Sequence, residues 1–70
     1  MLREHDVVTI TVDVPEEGLA AGDVGAVVHC YPEGDTYEVD FVDDHGRHKG
    51  VVTLSGNQLL RLNLTSLSAV

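Results

Sequence analysis

The sequence is poor in cysteine, and it has no long apolar run. Its 70 residues contain one cysteine, Cys30, which cannot form an internal disulfide. Because small secreted domains usually carry several disulfides, we expect a reducing cytoplasm. The N-terminal residues 1–6 show no apolar signal core, and no apolar run approaches the length of a membrane span.

Basic residues are equally scarce. Four Lys and Arg stand against twelve Asp and Glu, which gives a formal net charge of −8. Proteins bind nucleic-acid backbones and anionic membrane surfaces through Lys and Arg. We therefore expect neither a nucleic-acid partner nor a membrane partner.

Aromatic residues make up 4% of the chain, with two Tyr, one Phe and no Trp. A groove for proline-rich peptides needs several exposed aromatic side chains close together. Tyr31 and Tyr37 are therefore too few to predict such a groove.

The chain is rich in Val and Leu, grouped in strand-length clusters between charged and turn residues. The length allows one domain. Period-two patterns are clearest where Tyr37, Val39 and Phe41 alternate with Glu38 and Asp40. The patterns predict five β-strands, at residues 7–14, 24–31, 36–42, 49–54 and 61–64.

Turn residues separate these strands. Pro15 ends the first strand, and the loop after it allows Leu19 to fold back over the core. Gly25 indicates a bulge or a close backbone approach, and Gly46 indicates a tight hairpin at residues 43–46. Residues 55–58 resemble a capping box, which predicts one short 3-10 turn before the last strand.

Five short strands joined by turns predict an all-β fold with an antiparallel sheet. A flat sheet would expose one apolar face and two edges, and curling into a small barrel removes both problems. The order of elements is that of a five-stranded SH3-like barrel, which we assign to residues 1–64. Residues 65–70 are expected to fray or to pack on a partner, and they are a candidate contact for a homo-oligomer.

One long series of residues resembles a known family. It comprises residues 6–8, the glycine-rich block at 18–28 (Gly18-Leu19, Gly22-Asp23-Val24-Gly25, Val27-Val28), residues 37–43, Gly46 and residues 52–54. The series is similar to a family of short bacterial proteins known as domain of unknown function 4926, and it covers roughly residues 5–60. The resemblance implies a small SH3-like barrel and a bacterial origin, and it implies no activity. Because such reading frames often sit beside other genes, some of them toxin-like, it also suggests an antitoxin or immunity role.

Two groups of residues contain side chains of the kinds found in catalytic or metal sites. His45 and His48, beside Asp43 and Asp44, are potential metal ligands, but a structural zinc site usually has four ligands and the segment is typical of a solvated turn. Cys30 neighbours His29 on a strand, so the two side chains point to opposite faces and do not form a nucleophile–base pair. We predict no enzyme activity, no cofactor and no metal site.

The acidic residues therefore carry the functional prediction, a non-catalytic module that binds another protein. The partner is expected to be a protein, such as the product of a neighbouring gene, selected by complementary charge. The alternatives are an antitoxin or immunity protein that neutralises a neighbouring toxin, and a KOW-like nucleic-acid binder, which the net charge disfavours. The predicted partner-binding residues are Glu16, Glu17, Glu38, Asp40, Asp43 and Asp44.

Overall fold

A computed structural model describes residues 2–62, and it contains one five-stranded antiparallel sheet. The strands are β1 (Val7–Ile10), β2 (Val24–Cys30), β3 (Thr36–Val42), β4 (His48–Ser55) and β5 (Leu59–Arg61). Their order in the sheet is β4-β3-β2-β1-β5, so β4 and β5 form its two edges. The predicted all-β class and five-stranded antiparallel sheet are confirmed. Among residues 2–62, no helix is long and apolar enough to cross a membrane.

Strand β3 forms the centre of the core, and its bounds are those predicted. Tyr37, Val39 and Phe41 are almost completely buried, while the residues between them are only partly buried. This alternation follows from the two-residue period of a strand, which turns successive side chains to opposite faces of the sheet. The other buried apolar residues are Val8, Ile10, Leu19, Val27 and Leu54.

Strand β1 is shorter than predicted, and the prediction is wrong beyond Ile10. Val12 continues the apolar period but is 41% exposed, because the chain has left the sheet. The Thr11 N–H donates to the carbonyl of Gln58 at 2.9 Å instead of to a neighbouring strand. Beyond it, Val14 forms an isolated bridge with Leu19 around a 3-10 turn, Pro15–Glu17, which the sequence did not predict. Leu19 is buried as expected.

Strand β2 distinguishes between the two predictions for Gly25, a bulge and a close backbone approach. A Cβ added at Gly25 would lie 2.6 Å from the carbonyl oxygen of Asp40 and 2.9 Å from Cγ1 of Val39. Gly25 is therefore a site of close backbone approach. The register shift that marks a bulge lies further along, between Val27 and His29. This shift explains why Val28 and His29 are both exposed.

The connection from β4 to β5 follows the predicted capping box. The Ser55 N–H donates to Oε1 of Gln58 at 2.9 Å, and a 3-10 turn spans Gly56–Gln58. The turn is so short that β5 begins at Leu59, opposite Ile10, two residues before the predicted start. Residues 63–70, which include the end of the predicted fifth strand and the predicted tail, lie outside the described residues.

Replacing Phe41 by alanine tests the packing of the core. Phe41 is completely buried, so Phe41→Ala should lower the free energy of unfolding by about 3–5 kcal/mol. Val28→Ala is the matched control, because Val28 is 45% exposed, and it should change stability by less than about 0.5 kcal/mol. Urea denaturation followed by circular dichroism measures both. Equal midpoints for the two variants would contradict this account of the core.

Replacing Gly25 by alanine tests the close approach of β2 to β3. In a strand with free space, alanine would stabilise by about 0.5–1 kcal/mol relative to glycine. Here the added methyl meets a backbone carbonyl, so we expect Gly25→Ala to destabilise by about 1–3 kcal/mol. Urea denaturation measures the change. A midpoint below that of wild type would support the close approach, and a midpoint above it would contradict it.

Candidate protein-binding surface

The outer face of the sheet, turned away from the core, is the largest surface on which predicted site residues meet. On β3 it carries Glu38 and Asp40, because Tyr37, Val39 and Phe41 take the inner positions. Asp40 lies opposite Ala26 of β2 on one side and opposite Val51 of β4 on the other. Register and alternation place the following residues on the outer face: Val7, Val24, Ala26, Glu38, Asp40, Val42, Val51 and Thr53.

Much of this face is apolar and open to solvent. Val24 is 37% exposed and Val51 is 55% exposed. A shallow depression at one end is lined mostly by valine and alanine side chains, with Asp40 and His48 among them. A second depression, near the β2–β3 connection, is lined by Tyr31, Pro32, Glu33, Thr36 and Thr53.

Two carboxylates lie on this face, and each has a neighbouring side chain with a polar group. Asp40 Oδ2 is 2.8 Å from Nδ1 of His48, and the Asp40 side chain is 22% exposed. Partial burial raises the pKa of Tyr31, and the carboxylate of Glu38 raises it further. Both carboxylates are therefore placed among side chains on the face, which separates them from the freely solvated acidic residues of the loops.

The two acidic residues of the β3–β4 hairpin differ in role. Asp43 is bonded to the backbone of the hairpin, and Asp44 is exposed to solvent. Asp43 Oδ1 accepts hydrogen bonds from the N–H groups of His45 and Arg47, at 2.8 and 2.9 Å. Asp43 therefore holds the hairpin at the predicted position, and Gly46 adopts the left-handed region with φ 77°. Asp44 is 90% exposed, and its Oδ1 lies 3.7 Å from Nε2 of His45.

Glu16 and Glu17 lie in the 3-10 turn between β1 and β2, and both are exposed. This connection ends at Asp23, whose carboxylate Oδ2 is 3.1 Å from Nζ of Lys49. Because Lys49 stands at the start of β4, the end of the β1–β2 connection meets the β3–β4 hairpin. The Glu16–Glu17 pair and the outer face are separate acidic surfaces of one molecule.

The candidate metal and nucleophile residues have other contacts. His48 is paired with Asp40, and His45 with Asp44, on different parts of the hairpin. Among the described residues, no group of three or more His, Cys, Asp or Glu is arranged to hold a metal ion. The Cys30 thiol lies 3.8 Å from the carbonyl of Leu2, and the ring of His29 packs edge-on against Tyr31 at 4.6 Å.

Sequence reasoning missed the apolar part of the outer face, because Val24 and Val51 have the same residue types as the core. It also missed a signal that can be counted directly. All twelve acidic residues lie in the first 44 positions, whereas three of the four Lys and Arg lie after them. The acid-free second part of the chain supplies β4 and β5, so both edges of the sheet lack carboxylates.

Comparison with known proteins supports the family resemblance found in the sequence. The model of a family described as a domain of unknown function (DUF4926) matches residues 4–61. The chain belongs to this family. No curated protein and no solved structure matched the chain. The matched region of this DUF4926 chain contains all five strands and every residue of the outer face.

The contact between Asp23 and Lys49 should appear in the pH dependence of stability. A hydrogen bond from the Ala20 N–H, followed by the contact with Lys49, lowers the pKa of Asp23 below its ordinary value of 3.8. A lowered pKa stabilises the folded state above that ordinary value, and this stability is lost as the pH falls through the lower, folded value. We expect Asp23→Asn to be less stable than wild type at pH 6, with the difference shrinking towards pH 2–3.

Urea denaturation at a series of pH values measures this difference. Asp44→Asn is the matched control, since Asp44 is 90% exposed, and its difference from wild type should change little with pH. A gap between wild type and Asp23→Asn that is the same at pH 6 and pH 3 would rule out the assigned role of Asp23.

Proposed function

We propose that this DUF4926 chain is a non-catalytic module of the bacterial cytoplasm that binds another protein through its acidic surfaces. The observation that carries the proposal is the composition of the outer face, where the exposed Val24 and Val51 lie on the same face of the sheet as Glu38 and Asp40. Exposed apolar patches with a polar rim are typical of protein-binding surfaces. The partner that fits would present apolar side chains with Lys or Arg beside them.

Charge supports a basic partner. With a net charge of −8, the chain attracts a positively charged surface over a distance of roughly a Debye length. Such attraction raises the association rate and selects the partner, while the apolar contact supplies most of the affinity. Glu16 and Glu17, which are exposed, extend the acidic surface beyond the outer face and are available to steer the partner.

The proposed fold for this module is an SH3-like barrel, a finer assignment than an antiparallel sheet. Two features support it. All five strands contribute side chains to, or pack against, a single apolar cluster around Phe41, and a short 3-10 turn leads from β4 on one edge to β5 on the other. In such a barrel the outer face would be the convex side, which a partner can approach without displacing the core.

A capture experiment tests the proposed function. The full chain, with an affinity tag, is incubated with lysate of a bacterial host that expresses the neighbouring gene products, and retained proteins are compared with those held by a tagged protein of equal size and charge. The affinity of the purified partner is then measured by calorimetry for wild type and for two lysine variants. Val24→Lys alters the outer face, and Val12→Lys is the control, since Val12 is similarly exposed but lies off the sheet.

We expect Val24→Lys to weaken binding about tenfold or more, because a buried apolar contact becomes a charge facing a basic partner. Val12→Lys should bind like wild type, and added salt should weaken the wild-type complex. No retained protein beyond that held by the control, or equal affinity of both variants, would refute the proposal.

A further inference from the structure

The free edge of strand β4 is a second surface, distinct from the outer face. β4 is eight residues long, and among residues 2–62 it pairs with β3 alone. Natural proteins protect such edges with proline, with charged side chains, with β-bulges or by covering them. β4 contains no proline, and its Lys49 and its register shift, between His48 and Gly50, both lie at its start, so residues 51–55 have none of these devices. In the part of the chain that the structure describes, no strand pairs with the outer side of β4.

The hydrogen-bonding groups available on this edge follow from the pairing of β3 with β4. The Gly56 N–H donates to the carbonyl of Asp35 at 2.8 Å, so this opposed pair is a hydrogen-bonded one. Hydrogen-bonded pairs alternate along an antiparallel ladder, which directs Leu54, Val52 and Gly50 towards β3.

The residues between them point the other way. Ser55 fits this alternation, because its N–H points away from β3 and donates to Oε1 of Gln58. The N–H and C=O groups of Val51 and Thr53 are therefore directed away from the sheet.

We propose that β4 pairs with β4 of a second copy of this chain, antiparallel and symmetric about Val52. In this register Val51 lies opposite Thr53 of the other copy, and Thr53 opposite its Val51. The two pairs exchange four backbone hydrogen bonds, all between groups that face outward in the single chain. The half-buried Val52 side chains become cross-strand neighbours at the centre.

Local charge at this edge suits a second copy as the occupant, although two chains of net charge −8 repel each other at long range. β4 carries no carboxylate, although the chain carries a net charge of −8, so the symmetric pair brings no two acidic strands together. The antiparallel register places His48 of one copy opposite Gly56 of the other. The carboxylate of Asp35 lies over Gly56. Lys49, at the start of each β4, therefore lies near an acidic residue at the end of the other copy's β4.

The proposal is tested by sedimentation equilibrium of the full chain over a wide range of concentrations. Wild type should show a monomer–dimer equilibrium. Thr53→Pro removes one outward N–H per copy and leaves the ladder to β3 intact, because proline is tolerated on an edge whose N–H faces solvent. The variant should dimerise roughly 30-fold more weakly or worse, from the loss of two hydrogen bonds. Leu60→Lys, on the opposite edge, is the control and should dimerise like wild type.

Hydrogen exchange identifies the surface without any variant. The amides of Val51 and Thr53 should become more protected as wild-type concentration rises, while that of Val12 should not. A chain that stays monomeric at every concentration overturns the proposal. So does a dimer in which the Val51 and Thr53 amides remain unprotected, since it would form through another surface. Neither result bears on partner capture by the outer face.

Discussion

The alternation of side chains along β3 is the constraint on which the rest of the structure depends. β3 is bonded on both sides, so its register fixes the positions of β2 and β4 together. A slip of one residue would turn Glu38 and Asp40 into the core and expose Phe41. Burying two carboxylates without partners costs far more than the sheet could recover. The acidic outer face and the apolar core are thus two consequences of one register.

The same reasoning explains how much of the fold could be predicted. β3 was predicted to the residue, because its alternation is complete and turn residues bound it. β1 was overextended, because Val12 and Val14 keep the period although, among residues 2–62, neither pairs with a strand and Val14 forms only an isolated bridge with Leu19. The N–H of Thr11 bonds to Gln58, which is 47 residues away in the sequence, and no local pattern reveals such a partner. Local periodicity identifies strands, whereas tertiary hydrogen bonds determine where they end.

The sequence was enough to predict which acidic residues lie at the surface, but not how they are arranged relative to other side chains. Acidic residues are usually exposed, so Glu16, Glu17 and Asp44 were placed correctly at the surface. The different situations of Asp40, paired with His48, and of Asp43, which holds the hairpin, depend on contacts that form only after folding. The exposed valines could not be separated from core valines, since the side of the sheet that a residue faces is set by register and not by hydrophobicity.

Acidic residues lie in the first 44 positions of the chain, and most basic residues follow them. The order of the strands in the sheet therefore determines which charges lie close together. Each ion pair among the described residues joins an acidic residue from the first 44 positions to a Lys, Arg or His from the rest. These exposed pairs add little stability individually, but they link the acid-free second part of the chain to the acidic residues of β3 and of the loops. The carboxylates are thereby concentrated on the outer face and loops, while the edges stay free of them. A basic protein and a neutral β-strand would consequently approach the molecule from different directions, and one small sheet can accommodate both.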